Sequence, residues 1–267
     1  MEILDKTADP DRFWADLAGS RQSLLMLDYD GTIAPFVIRR DRAVPWPGVR
    51  EALEAIISVG RTRVVVVSGR NAADLVPLLG LDPPPEIWGS HGGERIMPDG
   101  THLLALLEQP FVTGLQEADA VLGQTGLPER FEIKPLGRAF HWRGLPEHQR
   151  TRAEETVTGS WRRVAEASGL ELRRFDGGVE LRVPGVDKGQ VVDRLLEELG
   201  QGTVAAYLGD DLTDEDAFRA LGTRGLSLLV REAYRTTAAR LWLRPPDELL
   251  DFLRRWRECN AADGEER

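Results

Sequence analysis

The sequence predicts an α/β protein, a doubly wound parallel sheet interrupted by a smaller inserted α/β cap domain. Three observations carry this. Apolar runs of strand length alternate with helical segments over about the first 80 residues, and the pattern returns after about residue 184, which is the grammar of βαβ winding. Between about residues 104 and 183 the order changes to helix, hairpin, helix, hairpin. Three of the apolar runs also end abruptly in polar motifs, at the strand edge where open parallel sheets bind ligands. The expected division is core over 1–103, cap over 104–183 and core again over 184–267.

Taken in order, residues 10–20 read as a short helix with Phe13, Trp14 and Leu17 on one face, though nothing says whether it docks on the core. Leu24–Leu27 is a strand, and PGVREALEAIISV (47–59) an amphipathic helix with proline near its start. RVVVV (63–67) is a β-branched apolar run after Arg63, as suits a strand buried on both faces. NAADLVPLLG is helical, with Pro77 limiting or bending it. Short strands follow over 86–106 around a PDG turn, then a helix over 110–123. FEIKP and RAFHWR flank a Leu136-Gly137 turn, residues 146–168 form a longer helix, and ELRRF and VELRV flank Asp176-Gly177-Gly178. VDKGQVVDRLLEELG is helical, TVAAYLGDD a strand, TDEDAFRAL a helix, GLSLLV a strand and PPDELLDFLRRW a final helix, before a polar tail from about residue 259.

Composition excludes several classes. With 267 residues and 42% hydrophobic content the chain can bury a substantial core. Its net charge of −10 argues against nucleic-acid binding, which needs clustered excess Lys and Arg. One cysteine, Cys259, leaves no internal disulfide framework and no cysteine-based metal site. MEILDKTADPDRFW carries acids early and lacks a long apolar stretch, so no secretory signal is read. No run of 18 apolar residues offers a membrane span. A cytoplasmic monomer is the expectation. Of 34 basic residues only Lys6, Lys134 and Lys188 are lysine, which directs attention to the latter two as places where a compact ammonium is needed.

The chemistry gathers at the strand ends. Asp28-Tyr29-Asp30-Gly31-Thr32 follows the first strand, Ser68-Gly69-Arg70 the second, and Asp210-Asp211-Leu212-Thr213-Asp214 a third, while Lys188 opens the helix before the last. If these strands are neighbours, the four motifs share one crevice. Asp28, Asp30 and Asp210 could supply oxygen ligands to Mg2+, which is held by one or two carboxylates together with a phosphate. Ser68 and Lys188 could hold phosphate oxygens, Asp28 could attack phosphorus, and Asp30 could protonate the leaving oxygen and then activate water. Thr32 is placed to steady Asp30. Singly, each motif has a plainer reading: an acidic turn, a serine helix cap, a surface lysine, a capped acidic helix start.

In combination these motifs resemble the haloacid-dehalogenase-like (HAD) phosphatase superfamily. LDYDGTIAP, VSGR, GSHGGE (89–94), FEIKPLGRAFHWR (131–143), VELR (179–182), DKG (187–189) and GDDLTDEDAF (209–218) are similar to the trehalose-6-phosphate phosphatase family, over about residues 20–255. The resemblance implies an Mg2+-dependent phosphatase with a HAD-like core and an α/β cap, acting on a small sugar phosphate. It implies Asp28 as nucleophile and Asp30 as general acid/base. It implies Mg2+ on Asp28, the Asp30 carbonyl and Asp210, with Asp211 or Asp214 in support, and phosphate on Ser68 and Lys188. In the cap, Glu132, Lys134, His141, Arg143 and Glu180 match sugar-binding positions, and Arg70 and His91 match positions where core meets cap. Glu132 and Lys134 also read as an ion pair on one strand face, and His141 and Trp142 as packing residues. Trp142 and Val183 depart from the family's frequent Tyr and Pro, near the sugar pocket rather than the phosphate. Two further readings stay open: a HAD phosphatase for another phosphorylated sugar or glycosylated small acid, and a receiver-like phospho-acceptor domain, against which the length and the cap both argue.

Overall fold

The computed structural model describes residues 1–175 and 177–261. Asp176, expected in a turn, and the end of the polar tail lie outside the described residues. The elements run β1 (Glu2–Ile3), α1 (Pro10–Ala18), β2 (Ser23–Leu27), α2 (Val49–Val59), β3 (Thr62–Val67), α3 (Ala72–Leu79), β4 (Glu86–Gly89), β5 (Glu94–Ile96), β6 (His102–Leu104), α4 (Gln109–Asp119), β7 (Phe131–Lys134), β8 (Gly137–His141), α5 (Glu147–Ser168), β9 (Glu171–Phe175), β10 (Gly178–Arg182), α6 (Lys188–Leu199), β11 (Val204–Gly209), α7 (Glu215–Leu221), β12 (Leu226–Val230), β13 (Leu241–Leu243) and α8 (Asp247–Ala261). The chain divides into two compact units, Met1–Leu103 with the chain from Asp187 onward, and Leu104–Val186.

The first unit is built on a sheet of order β1-β13-β12-β11-β2-β3-β4-β5-β6. Its centre is parallel, from β13 through β12, β11, β2 and β3 to β4, with antiparallel edges at β1 and β5. Because strand side chains alternate faces, Leu25, Leu27, Val64, Val66, Ala206 and Leu208 pack to one side, with Leu17 of α1, Leu53 of α2 and Leu253 of α8. Leu24, Met26, Val65, Val67, Ala205 and Tyr207 pack to the other, with Val192 of α6 and Phe218 of α7. This is the doubly wound arrangement, and it accounts for strands that read as unbroken apolar runs.

The N-terminal segment belongs to this unit. Asp9 caps α1 by accepting from the Arg12 amide at 3.0 Å. Phe13 and Trp14 pack edge-on and tilted against Phe252 and Trp256 of α8, with ring centroids 5.0–6.5 Å apart. The strands β1 and β13 had no counterpart in the sequence reading. Both are three residues or fewer, too short for any period to show, and each is defined by its partners. Pro77 lies inside α3, which continues to Leu79.

The second unit is an antiparallel sheet, β7-β8-β10-β9, backed by α4 and α5. Phe140, Val179 and Leu181 pack from the sheet against Leu115 of α4 and Val157 and Trp161 of α5. The first hairpin turns on Pro135-Leu136 rather than Leu136-Gly137, since Lys134 pairs with Gly137. Gly137 sits close to its neighbouring strand, since a Cβ there would stand 3.0 Å from the Leu181 carbonyl. Among the described residues no helix is long and apolar enough to cross a membrane.

Candidate active site

The strand order does most of the assembly. β2 lies between β11 and β3, and Leu27 is level with Leu208 and Val66, so Asp28, Asp210 and Ser68 leave the sheet side by side at its carboxyl edge. Lys188 arrives at the first turn of α6, behind the cap Asp187, whose side chain accepts from the Gln190 amide at 3.0 Å.

Asp28 is 4% exposed. Its Oδ1 accepts from Lys188 Nζ at 2.6 Å and its Oδ2 from Thr32 Oγ1 at 3.1 Å. Thr32 therefore steadies Asp28, not Asp30 as expected, because the turn after β2 returns residue 32 beneath residue 28. Gly31 makes that turn at φ +86°, and a Cβ on it would meet Asp210 Oδ2 at 2.3 Å and the Phe36 ring at 2.6 Å. Asp30 points elsewhere. Arg70 holds its carboxylate bidentately, Nε to Oδ2 at 2.6 Å and Nη2 to Oδ1 at 2.5 Å, donates from Nη1 to the Arg40 carbonyl at 2.7 Å, and lies over the Tyr29 ring. Ser68 is buried, and its Oγ accepts from the Arg70 amide at 3.1 Å. His91 has φ +60° and its amide donates to the Ser68 carbonyl at 2.9 Å.

Asp214 is fully committed. Its Oδ1 accepts from Lys188 Nζ at 2.7 Å and Tyr207 Oη at 2.8 Å, and its Oδ2 from the amides of Asp210 and Asp211 at 3.0 and 2.9 Å. Asp211 completes a reciprocal cap with Asp214 at the start of the following turn. Asp210 is the opposite case: both carboxylate oxygens are buried with no hydrogen-bond partner, and Arg231 comes no nearer than 4.0 Å.

The charges do not balance. Three buried carboxylates face one buried ammonium, which is costly without further positive charge. Burial, reinforced by the Asp214 and Asp30 carboxylates, pushes the Asp28 carboxyl up despite Lys188. Burial and the charges of Asp28, Asp214 and Asp211 push Asp210 up as well. Burial disfavours the Lys188 ammonium, but Asp214 and Asp28 outweigh it and raise its pKa. Carboxylate oxygens of Asp28, Asp210 and Asp214 lie within 4.8 Å of one another. With Asp214 spent on Lys188, Tyr207 and two amides, Asp28 and the orphaned Asp210 are the oxygens that fit a divalent cation.

The remaining expected residues lie in the second unit. Strand pairing places Glu132, Ala139, Glu180 and Arg173 in one row, and Lys134, Gly137 and Arg182 in the next. His141 lies two residues beyond Ala139, on the same face. This face is polar, with small residues along the middle strand. Lys134 Nζ donates to Glu180 Oε1 at 2.6 Å and both are buried, while His141 Nε2 and Glu132 Oε2 are 2.9 Å apart. Arg143, just past β8, is exposed. Sequence reasoning missed Tyr207, whose hydroxyl is hidden in an apolar strand, and Arg231 and Arg235, which act on backbone carbonyls about 20 residues after the GDDLTDED motif.

The family described as trehalose-phosphatase matches residues 26–240. A trehalose-phosphate phosphatase of Mycobacterium tuberculosis is 36% identical over 252 residues, covering 89% of this chain and 62% of that protein. An uncharacterized glycosyl hydrolase of M. tuberculosis is 34% identical over 254 residues, covering 89% of this chain and 18% of that protein. The chain thus spans less than two thirds of these relatives' length. Among solved structures, the C-terminal domain of the Candida albicans trehalose-6-phosphate phosphatase superposes with a TM-score of 0.79 at 20% identity, over 97% of this chain and 99% of that one, a likeness of fold.

Proposed function

The chain belongs to the trehalose-phosphatase family, and from that premise we propose that it is an Mg2+-dependent phosphatase that hydrolyses trehalose 6-phosphate to trehalose and phosphate. The observation that carries this reading is the uncompensated Asp28–Asp210–Asp214 cluster around Lys188, placed at the carboxyl edge of the central strands. The relatives named as trehalose-phosphate phosphatases support the substrate. Asp28, the Asp30 carbonyl and Asp210 would hold Mg2+, which when bound neutralises the buried carboxylates and the phosphate charge.

In this reading Asp28 is the nucleophile. Thr32 and Lys188 fix its carboxylate, so the attacking oxygen is positioned before substrate arrives. A bond forms from Asp28 to phosphorus as the bond to the sugar oxygen breaks, and Asp30, having left Arg70 and taken a proton from solvent, gives that oxygen its proton. Lys188 and Ser68 hold the phosphoryl oxygens. Asp30, now a base, takes a proton from water, which attacks phosphorus and releases Asp28 and phosphate. Asp30 must exchange its Arg70 partner for the leaving oxygen to do this. Glu132, Lys134, His141, Arg143 and Glu180 form the sugar-binding surface, since charged groups on strands give strong directional hydrogen bonds to hydroxyls. Arg70 and His91 are assigned to substrate binding. The protein acts as a cytoplasmic monomer.

The test is phosphate release from a panel of sugar phosphates and glycosylated acid phosphates, with and without Mg2+. Trehalose 6-phosphate is expected to have the highest kcat/KM, with activity lost on chelation. A clear preference for another sugar phosphate overturns the substrate, and undiminished turnover after chelation overturns the metal.

A further inference from the structure

We propose that Arg235 is a positioning residue for the Asp210 carboxylate, acting through the backbone of residues 210–211; this rests on the metal reading above. Arg235 lies between β12 and β13 and spreads its guanidinium across the loop that follows β11. Its Nε donates to the Asp210 carbonyl at 3.1 Å, its Nη2 to the Asp211 carbonyl at 2.7 Å, and its Nη1 to the Thr236 carbonyl at 3.0 Å and to Glu215 Oε1. Glu215 is itself fixed, accepting from Thr237 Oγ1 and the Ala238 amide, each at 2.7 Å. Arg231 Nη1 adds a longer contact to the Asp210 carbonyl at 3.4 Å.

The same two residues are held from the other side, where Asp214 Oδ2 takes both of their amides. Every backbone donor and acceptor of Asp210 and Asp211 thus has a partner, and the peptide planes cannot rotate without breaking charge-assisted bonds. What remains without a hydrogen bond is the Asp210 carboxylate. The loop therefore presents that carboxylate in one orientation, with its oxygens reserved for a cation. A planar guanidinium holds two successive carbonyls and a carboxylate in a rigid fork; an ammonium is a compact point charge without that fixed geometry. Outer groups of this kind set the orientation of the ligand they support.

The experiment is calorimetric titration of MgCl2 into the substrate-free protein, its R235A and R235K variants, and D210N. D210N is expected to lose binding. R235A and R235K are expected to raise the Mg2+ Kd by about ten-fold or more, the usual consequence of losing such support, while circular dichroism in EDTA stays that of the parent. R235K keeps the charge beside Glu215 and carries the test if R235A does not fold. Folded R235 variants that bind Mg2+ within about two-fold of the parent, when D210N does not, overturn this inference alone. Loss of the fold in both variants also overturns it, by making Arg235 a stability residue. A parent that binds no Mg2+ removes the metal reading itself.

Discussion

Asp28 and Gly31 show how one turn sets two buried carboxylates, Asp28 through Thr32 and Asp210 through its closeness to Gly31. Asp28→Asn removes a negative charge from a cluster with too many, so the fold should survive or gain stability while phosphate release is abolished; substantial Mg2+-dependent turnover in D28N sinks the nucleophile assignment. Gly31→Ala acts on geometry instead. At φ +86° its Cβ is strained, and it would press on the Asp210 carboxylate. G31A should therefore weaken Mg2+ binding by about ten-fold or more, as displaced ligands do, a loss read by titration. Arg70 separates two roles. If its main work is to hold Asp30, as the bidentate pair indicates, R70A lowers kcat more than it raises KM; a pure KM effect places it on substrate instead. The motif acids and Lys188 were legible because each follows a strand or opens a helix. Arg235 and Tyr207 were not, because one acts on carbonyls and the other is a hydroxyl inside an apolar run, and neither leaves a pattern of residue types.

At the scale of elements, the inserted hairpins were legible from the turn residues between their strand-like runs, because a glycine-bearing break is what lets two short strands fold back on each other. The strands β1 and β13 were invisible, having no length over which to alternate. The sequence also left open whether Glu132 and Lys134 pair on their strand. Lys134 instead crosses β8 to reach Glu180 on β10, and Glu132 meets His141. This buried pair makes a prediction with two readouts. Lys134→Ala takes away the buried ammonium that Glu180 meets at 2.6 Å, costing about 3 kcal/mol in denaturant unfolding. K134A/E180A removes both charges and should regain most of that stability. If the pair also binds sugar, KM stays raised in the double variant. A KM that returns with stability assigns the pair to the fold.

For the whole molecule, the cluster couples stability to pH and to metal. The carboxyls of Asp28 and Asp210 are raised in the folded protein from an unfolded value of 3.8, mainly by burial. Above that value the folded form keeps protons that the unfolded chain has released. The stability these groups contribute is therefore complete below the unfolded value and is lost as pH rises through the folded values. A cation at the same oxygens must displace those protons, so its affinity increases as pH rises. The metal-free protein should lose stability from this source as pH rises above 3.8, through about 7 for Asp28 and on towards about 10 for Asp210, and the rise in Tm produced by saturating Mg2+ should grow over the same interval. D210N, lacking the orphaned carboxylate, should show a smaller pH-dependent loss and little Mg2+ response. Melting curves at a series of pH values, with EDTA or MgCl2, decide it: an Mg2+ increment that is flat or shrinks with rising pH contradicts a proton-loaded cluster that accepts metal. The direction of this effect is set by the fold, in which the sheet order brings Asp28 and Asp210 to the ends of neighbouring strands and Lys188 of α6 and Asp214 of the following turn are buried with them.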